Sequence, residues 1–178
     1  MKSNAAKQLR QTVILGLFLC LVFWSSGCAQ QATTDTQTQT QANQWIEAKE
    51  CFECDLSQQD LSGIDLEGVR LNGSNLREAN LEGTNLAGAL LDGADLSSAN
   101  LSQANLSQAA LTNADLTEAN LTGADLTGAF LRGAKLNNAQ LKNTKFQDAD
   151  LNTAVLDGAT LEGTVFDGAI MPDGSIEE

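Results

Sequence analysis

Leucine, or in two places phenylalanine, stands at every fifth residue from Leu56 to Phe166 without a break. Of these 23 positions 21 are Leu and the others are Phe146 and Phe166; Met171 extends the series and Cys51 precedes it in register. A period of five defeats both common structures. On an α-helix, successive members would be offset by about 140° and would spread around every side. On a flat strand, an odd period sends alternate members to opposite faces. All of them point the same way only if the chain turns through a constant angle every five residues, and unbroken internal repetition of this kind specifies a solenoid.

Two further regularities share the period. Two residues before most members of the series sits a small residue, most often Ala, as at Ala79, Ala89, Ala94 and every fifth position on to Ala139. Every glycine between residues 51 and 171 lies two residues after a member of the Leu series, for example Gly93 after Leu91 and Gly128 after Leu126. That placement suits a type II turn, whose third residue has positive φ. Ser98, Gln103, Gln108, Asn113 and Glu118 occupy the same place without glycine, and their turns are expected to be of another type. With six Phe, two Trp, no Tyr and no His, the composition suits a regular core made of one or two residue types.

The pattern Ala-(Asp/Asn)-Leu-X-Gly, as in Ala124-Asp125-Leu126-Thr127-Gly128, resembles the pentapeptide-repeat proteins over about 120 of the 178 residues. The resemblance implies an all-β fold, a right-handed quadrilateral β-helix with four pentapeptides per coil. It also implies that Leu fills the interior, that the small residue two before it points in at the corner, and that the other three positions face solvent. With coils at strand spacing, about 4.8 Å, residues 54–173 would make about six coils and a rod of roughly 29 Å.

In that register residues 20 apart stack. Phe146 should lie against Phe166 inside. Outside, Asp60, Asn80, Asn100 and Asn120 form a column in which the amides can hydrogen-bond along the stack. Asp95 over Asp115 is a mildly unfavourable pair of like charges. Arg132, Lys135, Lys142 and Lys145 look like a basic patch in the linear sequence, but the register spreads them over four sides as ordinary, locally balanced surface. One outward column departs from the polar rule. Leu90, Ala110 and Phe130 stack on three successive coils, an apolar strip that is either tolerated, covered by the chain's own N-terminal segment, or used for self-association or docking of a protein partner. Val155 and Val165 fall on other sides and do not extend it.

The first 27 residues read as a signal peptide. Lys2, Lys7 and Arg10 form a positive region, and Val13 to Trp24 is an apolar run of 12 residues. Such a run is too short for the ~20 residues of a transmembrane helix but suits a signal core. Ser25-Ser26-Gly27-Cys28 resembles a bacterial lipobox, which implies lipidation of Cys28, although Ser25 stands where Leu is usual. Cleavage after Ala29 and a retained anchor are the alternatives. Residues 28–44 are then the lipidated cysteine and a tether, rich in Gln and Thr and without a large apolar residue. A flexible coil of that length spans roughly 20–25 Å.

Residues 45–53, with Trp45 and Ile46, read as an N-terminal cap over an otherwise unpaired coil edge. Pro172, which has no N–H to offer a further strand, closes the other end. Residues 174–178 are a C-terminal tail whose Ile176 is placed to fold back over that end. Cys51 and Cys54, followed by Asp55-Leu56-Ser57, resemble the start of the first coil in exported pentapeptide-repeat proteins of photosynthetic bacteria. They take inward positions, and the readings are two packed thiols or a structural disulfide, the latter favoured outside the cytoplasm. No βαβ pattern surrounds them to suggest a redox motif, and two ligands without His are too few for zinc.

Three of the ten basic residues and none of the 23 acidic ones precede Cys28. A chain beginning there carries a net −16 and repels nucleic acid and anionic membrane. No constellation for nucleophilic, phosphate or metal chemistry is legible, and carboxylates on a convex prism lack a cleft. The expected function is a non-enzymatic, membrane-tethered scaffold or protein-interaction module outside the cytoplasm, facing the periplasm or thylakoid lumen. It would have no cofactor, metal, nucleic acid or small-molecule substrate. The alternative is an acidic DNA mimic of the gyrase-protecting kind found among cytoplasmic members of the family; the export signal argues against it.

Overall fold

The computed structural model describes residues 46–178. The expected signal peptide, Cys28, the tether and Trp45 lie outside the described residues. From Glu50 onward each outward residue pairs in parallel with the residue 20 positions later, from Glu50 with Arg70 to Asp150 with Ile170. Twenty residues at five per side give four sides. The first carries Glu50, Arg70, Leu90, Ala110, Phe130, Asp150 and Ile170 as its column. The second runs from Asp55 to Val155, the third from Asp60 to Thr160 and the fourth from Asp65 to Val165. Among the described residues pairing therefore begins at Glu50, within the segment read as the cap, and a helical turn at 46–48 precedes it.

One pentapeptide, Asn100 to Ala104, shows why the coil is stable. Asn100 N donates to Ala79 O of the previous coil (2.9 Å), and Leu101 N to Asn120 O of the next (2.7 Å). Gln103 N donates to Thr122 O (3.0 Å), and Ala104 N closes the turn on Leu101 O (3.1 Å). The remaining donor, Ser102 N, bonds Asn100 Oδ1 at 3.2 Å. All five N–H groups are satisfied within five residues, as buried backbone requires.

The inward side chains fill the prism. Leu66 to Leu151 in the series are buried, and so are the alanines that stand two residues before them. Each buried Leu contributes roughly 1.5–3 kcal/mol. Phe146 and Phe166 stack with ring centroids 5.3 Å apart and planes 6° from parallel. Where a hydroxyl replaces Ala at the corner it finds a partner: Ser74 Oγ donates to Cys51 O, Thr84 Oγ1 to Leu61 O and Thr144 Oγ1 to Leu121 O. These are carbonyls of the Leu series one coil earlier, which have a second lone pair free for the bond.

The turns correct one expectation. Ser98, Gln103, Gln108, Asn113 and Glu118 do not adopt another turn type. Their φ values lie between 56° and 61°, in the left-handed region the glycines occupy, such as Gly93 at 67°. Coil closure is the reason: each side must bend like its neighbours or the 20-residue stacking is lost. The coil imposes αL on residues that alone would avoid it, at a cost of roughly 1–2 kcal/mol each.

The two ends differ. Ile46 packs against the first coil, and Lys49 Nζ reaches Glu67 O. At the far end residues 174–178 turn back: Ile176 pairs antiparallel with Ile170, and Gly168 N donates to Glu177 O. The tail thus folds back as expected, but the Ile176 side chain is 67% exposed and does not cover the end, where Leu161 is 48% exposed.

Two stability outcomes follow. Leu106→Ala should cost about 2–5 kcal/mol through the cavity it leaves, and Asn105→Ala only about 1 kcal/mol, because its loss is of surface hydrogen bonds. Thermal unfolding that ranked them oppositely would show the register to be wrong. Ser98→Gly should leave the rod as stable or up to about 1 kcal/mol more stable by removing αL strain; a clear loss in the same assay would mean that the Ser98 side chain contributes what the strain removes.

Candidate interaction surface

The outer faces are built from the residue just before each Leu. On the second, third and fourth sides it is Asp or Asn through most of the rod, and these carboxyl and amide oxygens accept the N–H two residues on, as Asp95 Oδ1 does from Ser97 N at 2.9 Å. The same side chains run a ladder along the rod. Asn80 Nδ2 donates to Asp60 (2.9 Å), Asn100 to Asn80 (3.1 Å) and Asn120 to Asn100 (3.3 Å). Asn can accept from the backbone and donate down the stack, whereas ionised Asp only accepts. This accounts for Asp at the first rung of each ladder, at Asp55, Asp60 and Asp65, beneath Asn75, Asn80 and Asn85. The column was legible in the sequence; the backbone role of these side chains was missed, although the spacing Asp/Asn-Leu-X carried it.

Near the C-terminal end lysine takes over as donor. Lys135 Nζ lies 3.0 Å from Asp115, and Lys145 Nζ 3.3 Å from Asp125. Arg132 pairs with Asp150 at 2.6 Å and Lys142 with Glu162 at 3.0 Å. The four basic residues thus stand on separate sides, each with a carboxylate one coil away. Lys135 also offsets the stacking of Asp95 on Asp115.

Among the described residues six carboxyls depart from their ordinary pKa, and all move down. Asp55 and Asp60 are held below 3.8 by the hydroxyls and then the N–H groups of Ser57 and Ser62. Asp173 is held down by Ser175 in the same way, and Glu78 by Gln58 and then Arg77. For Asp115 and Asp125 partial burial pushes upward, but bonds from Thr117 and Lys135, or Thr127 and Lys145, together outweigh it.

The first side is different. Among Arg70, Leu90, Ala110 and Phe130 no side chain can accept the turn N–H, and Thr112 N bonds Asp92 Oδ1 of the coil below instead (3.0 Å). Leu90 is 36% and Phe130 53% exposed, with Ala110 bridging to both. Ion pairs bound the strip at either end, Glu50 with Arg70 (3.4 Å) and Arg132 with Asp150 (2.6 Å). Phe52 lies 4.9 Å from the Arg70 guanidinium, a contact the linear sequence did not signal.

Cys51 and Cys54 are joined by a disulfide, with Cα atoms 5.6 Å apart, at the first coil beside the helical turn. Cys28 lies outside the described residues. Among the described residues no helix is long and apolar enough to cross a membrane, and no group of three or more His, Cys, Asp or Glu is placed to hold a metal ion.

The sequence model described as "Pentapeptide repeats" matches this chain in eight copies, over residues 50–88, 74–113, 99–138 and 134–171. This is a pentapeptide-repeat protein. Its rod is the family's right-handed quadrilateral β-helix. Among solved structures it is similar to HetL, a pentapeptide repeat protein involved in heterocyst differentiation regulation in the cyanobacterium Nostoc sp. strain PCC 7120. That match is 29% identical over 72% of this chain and 89% of HetL, with a TM-score of 0.38. Rfr23 from the cyanobacterium Cyanothece 51142 matches at 28% identity over 75% of this chain and 99% of its own, TM-score 0.37. A pentapeptide repeat protein of the Arabidopsis thaliana thylakoid lumen matches at 37% identity over 58% and 66%, TM-score 0.30. No curated protein matches the sequence.

The depressed carboxyls set a pH dependence. A carboxyl whose folded pKa lies below its unfolded value contributes stability above the unfolded pKa and loses it as pH falls through the folded one. Unfolding temperature should therefore hold steady from neutral pH to the ordinary carboxyl range, 3.8 for Asp, and fall below it. A rising unfolding temperature in acid, followed by circular dichroism, would contradict this.

Proposed function

We propose that this pentapeptide-repeat protein is a non-enzymatic scaffold or protein-interaction module, exported and held at a membrane by a lipid on Cys28. It would face the periplasm or thylakoid lumen. The observation that carries the reading is how the rod spends its polar groups. The interior is filled by Leu and Ala, and the outward Asp and Asn oxygens are committed to the turns and ladders beneath them. What such a rod presents is faces of fixed spacing, the feature that suits solenoids to binding.

The membrane part of the reading rests on sequence: three basic residues, a 12-residue apolar run and Cys28 after Ser26-Gly27. A single acyl chain binds membrane only marginally, so stable anchoring needs more than one. The proposal therefore specifies a mature N-terminus at Cys28 bearing several chains. Partners should be proteins, since the acidic sides repel nucleic acid and anionic lipid.

Intact-mass and N-terminal peptide analysis of the protein from its native membranes should find a diacylated or triacylated Cys28, and Cys28→Ser should move the protein to the soluble fraction. An unmodified terminus beyond Cys28 would remove the anchor. Retention in the cytoplasm with an intact N-terminus would instead favour the acidic DNA-mimic reading.

A further inference from the structure

We infer that the first side of the rod is a homotypic interface, on which a second copy of the same chain docks antiparallel across Leu90, Ala110 and Phe130. The inference deepens the interaction-module reading and does not rest on export or lipidation.

The column on this side is centred on Ala110. Rotation by 180° about an axis that lies in the interface at the level of Ala110, perpendicular to the rod, brings the residue 20k positions before Ala110 opposite the partner's residue 20k positions after it. Leu90 then faces the partner's Phe130, apolar on apolar. Arg70 faces the partner's Asp150, so that each carboxylate sits between its own Arg132 and the Arg70 of the other copy. Ala110 meets the partner's Ala110, and two methyl groups at the axis let the faces approach. A two-fold axis along the rod would also pair the apolar residues. It would, however, set Arg70 on the partner's Arg70 and Asp150 on the partner's Asp150, like on like, which is unfavourable. The arrangement is isologous, the form two-fold symmetry requires.

Charge also selects the occupant. The second and fourth sides carry the Asp columns, whereas the charges bounding this side are already paired as Glu50 with Arg70 and Arg132 with Asp150. A basic partner would find more attraction on those two sides; an identical acidic chain meets less repulsion here than there. Five coils at strand spacing make a face about 24 Å tall. Two such faces bury well under the ~1,600 Å2 of a standard interface, so pairing is weak and reversible. A shared membrane tether would raise its occupancy through effective concentration.

Covalent trapping suits a weak contact. Full-length protein carrying Ala110→Cys, purified in detergent and treated with a mild oxidant, should form a disulfide-linked dimer well above the wild-type level. Asn120→Cys, on the opposite side, should not. Leu90→Cys alone should not either, because in the antiparallel pair the two copies of residue 90 are about 10 Å apart along the rod, beyond disulfide reach. Arg70→Asp in the Ala110→Cys background should weaken trapping about fivefold, and adding Asp150→Arg should restore it. Equal trapping at Ala110 and Asn120, self-trapping of Leu90→Cys, or no rescue by the charge swap would overturn the inference. So would a crosslink in native membranes to a different protein in place of the dimer. None of these results bears on lipidation of Cys28 or on recovery of protein partners through other sides.

Discussion

The backbone of every coil is completed only by the coil 20 residues away. Leu101 N needs Asn120 O, and Asn100 N needs Ala79 O. This dependence explains the monotony of the sequence. A residue that altered the bend on one side would displace the sides that follow and cost backbone bonds as well as packing. The αL conformation of Glu118 and Thr153 is the visible result, local preference overruled by stacking. Solenoid stability is shared between neighbouring coils rather than gathered into one core, which makes the last coil, with Leu161 exposed and Leu156 half-buried, the natural place for opening to start.

The surface obeys the same logic with different atoms. Asp and Asn are depleted from ordinary strands because they compete for the backbone. Here the competition is recruited, since one N–H per pentapeptide has no carbonyl to reach and the side chain before Leu accepts it. Asp begins each ladder, Asn carries it through Asn120 on the third side, and lysine stands above Asp115 and Asp125 on the second and fourth. A strongly acidic protein therefore keeps much of its charge in structural service. The side where Leu90, Ala110 and Phe130 interrupt the rule gives up those bonds.

The fold was legible because one period, read over 23 positions, admits one geometry once the number of sides is known. The columns, the Phe146–Phe166 stack and the separation of the four basic residues all came from counting in twenties. Two kinds of feature were hidden. The turn at Ser98 looked different because side-chain identity argues locally, while coil closure is a global condition. Contacts such as Phe52 on Arg70 and Lys49 Nζ on Glu67 O join residues at unequal places in the repeat, and a periodic reading has no term for them. The N-terminal segment carries its message in composition and in one cysteine, and lies outside the described residues.

The two registers of the rod, five inside and 20 outside, impose a grammar on length change. An insertion or deletion of five residues in phase keeps every Leu inside, so the core accepts it. It also turns everything downstream by a quarter revolution. One extra pentapeptide between Asp125 and Phe130 would leave the interior intact and move Phe130 to a neighbouring side, dividing the apolar strip and separating Lys135 and Lys145 from Asp115 and Asp125. Change in steps of 20 alone lengthens the rod while keeping each face whole. In such a protein the core can be kept through many insertions while the surface, and whatever it recognises, is reshuffled by each one that is not a full coil.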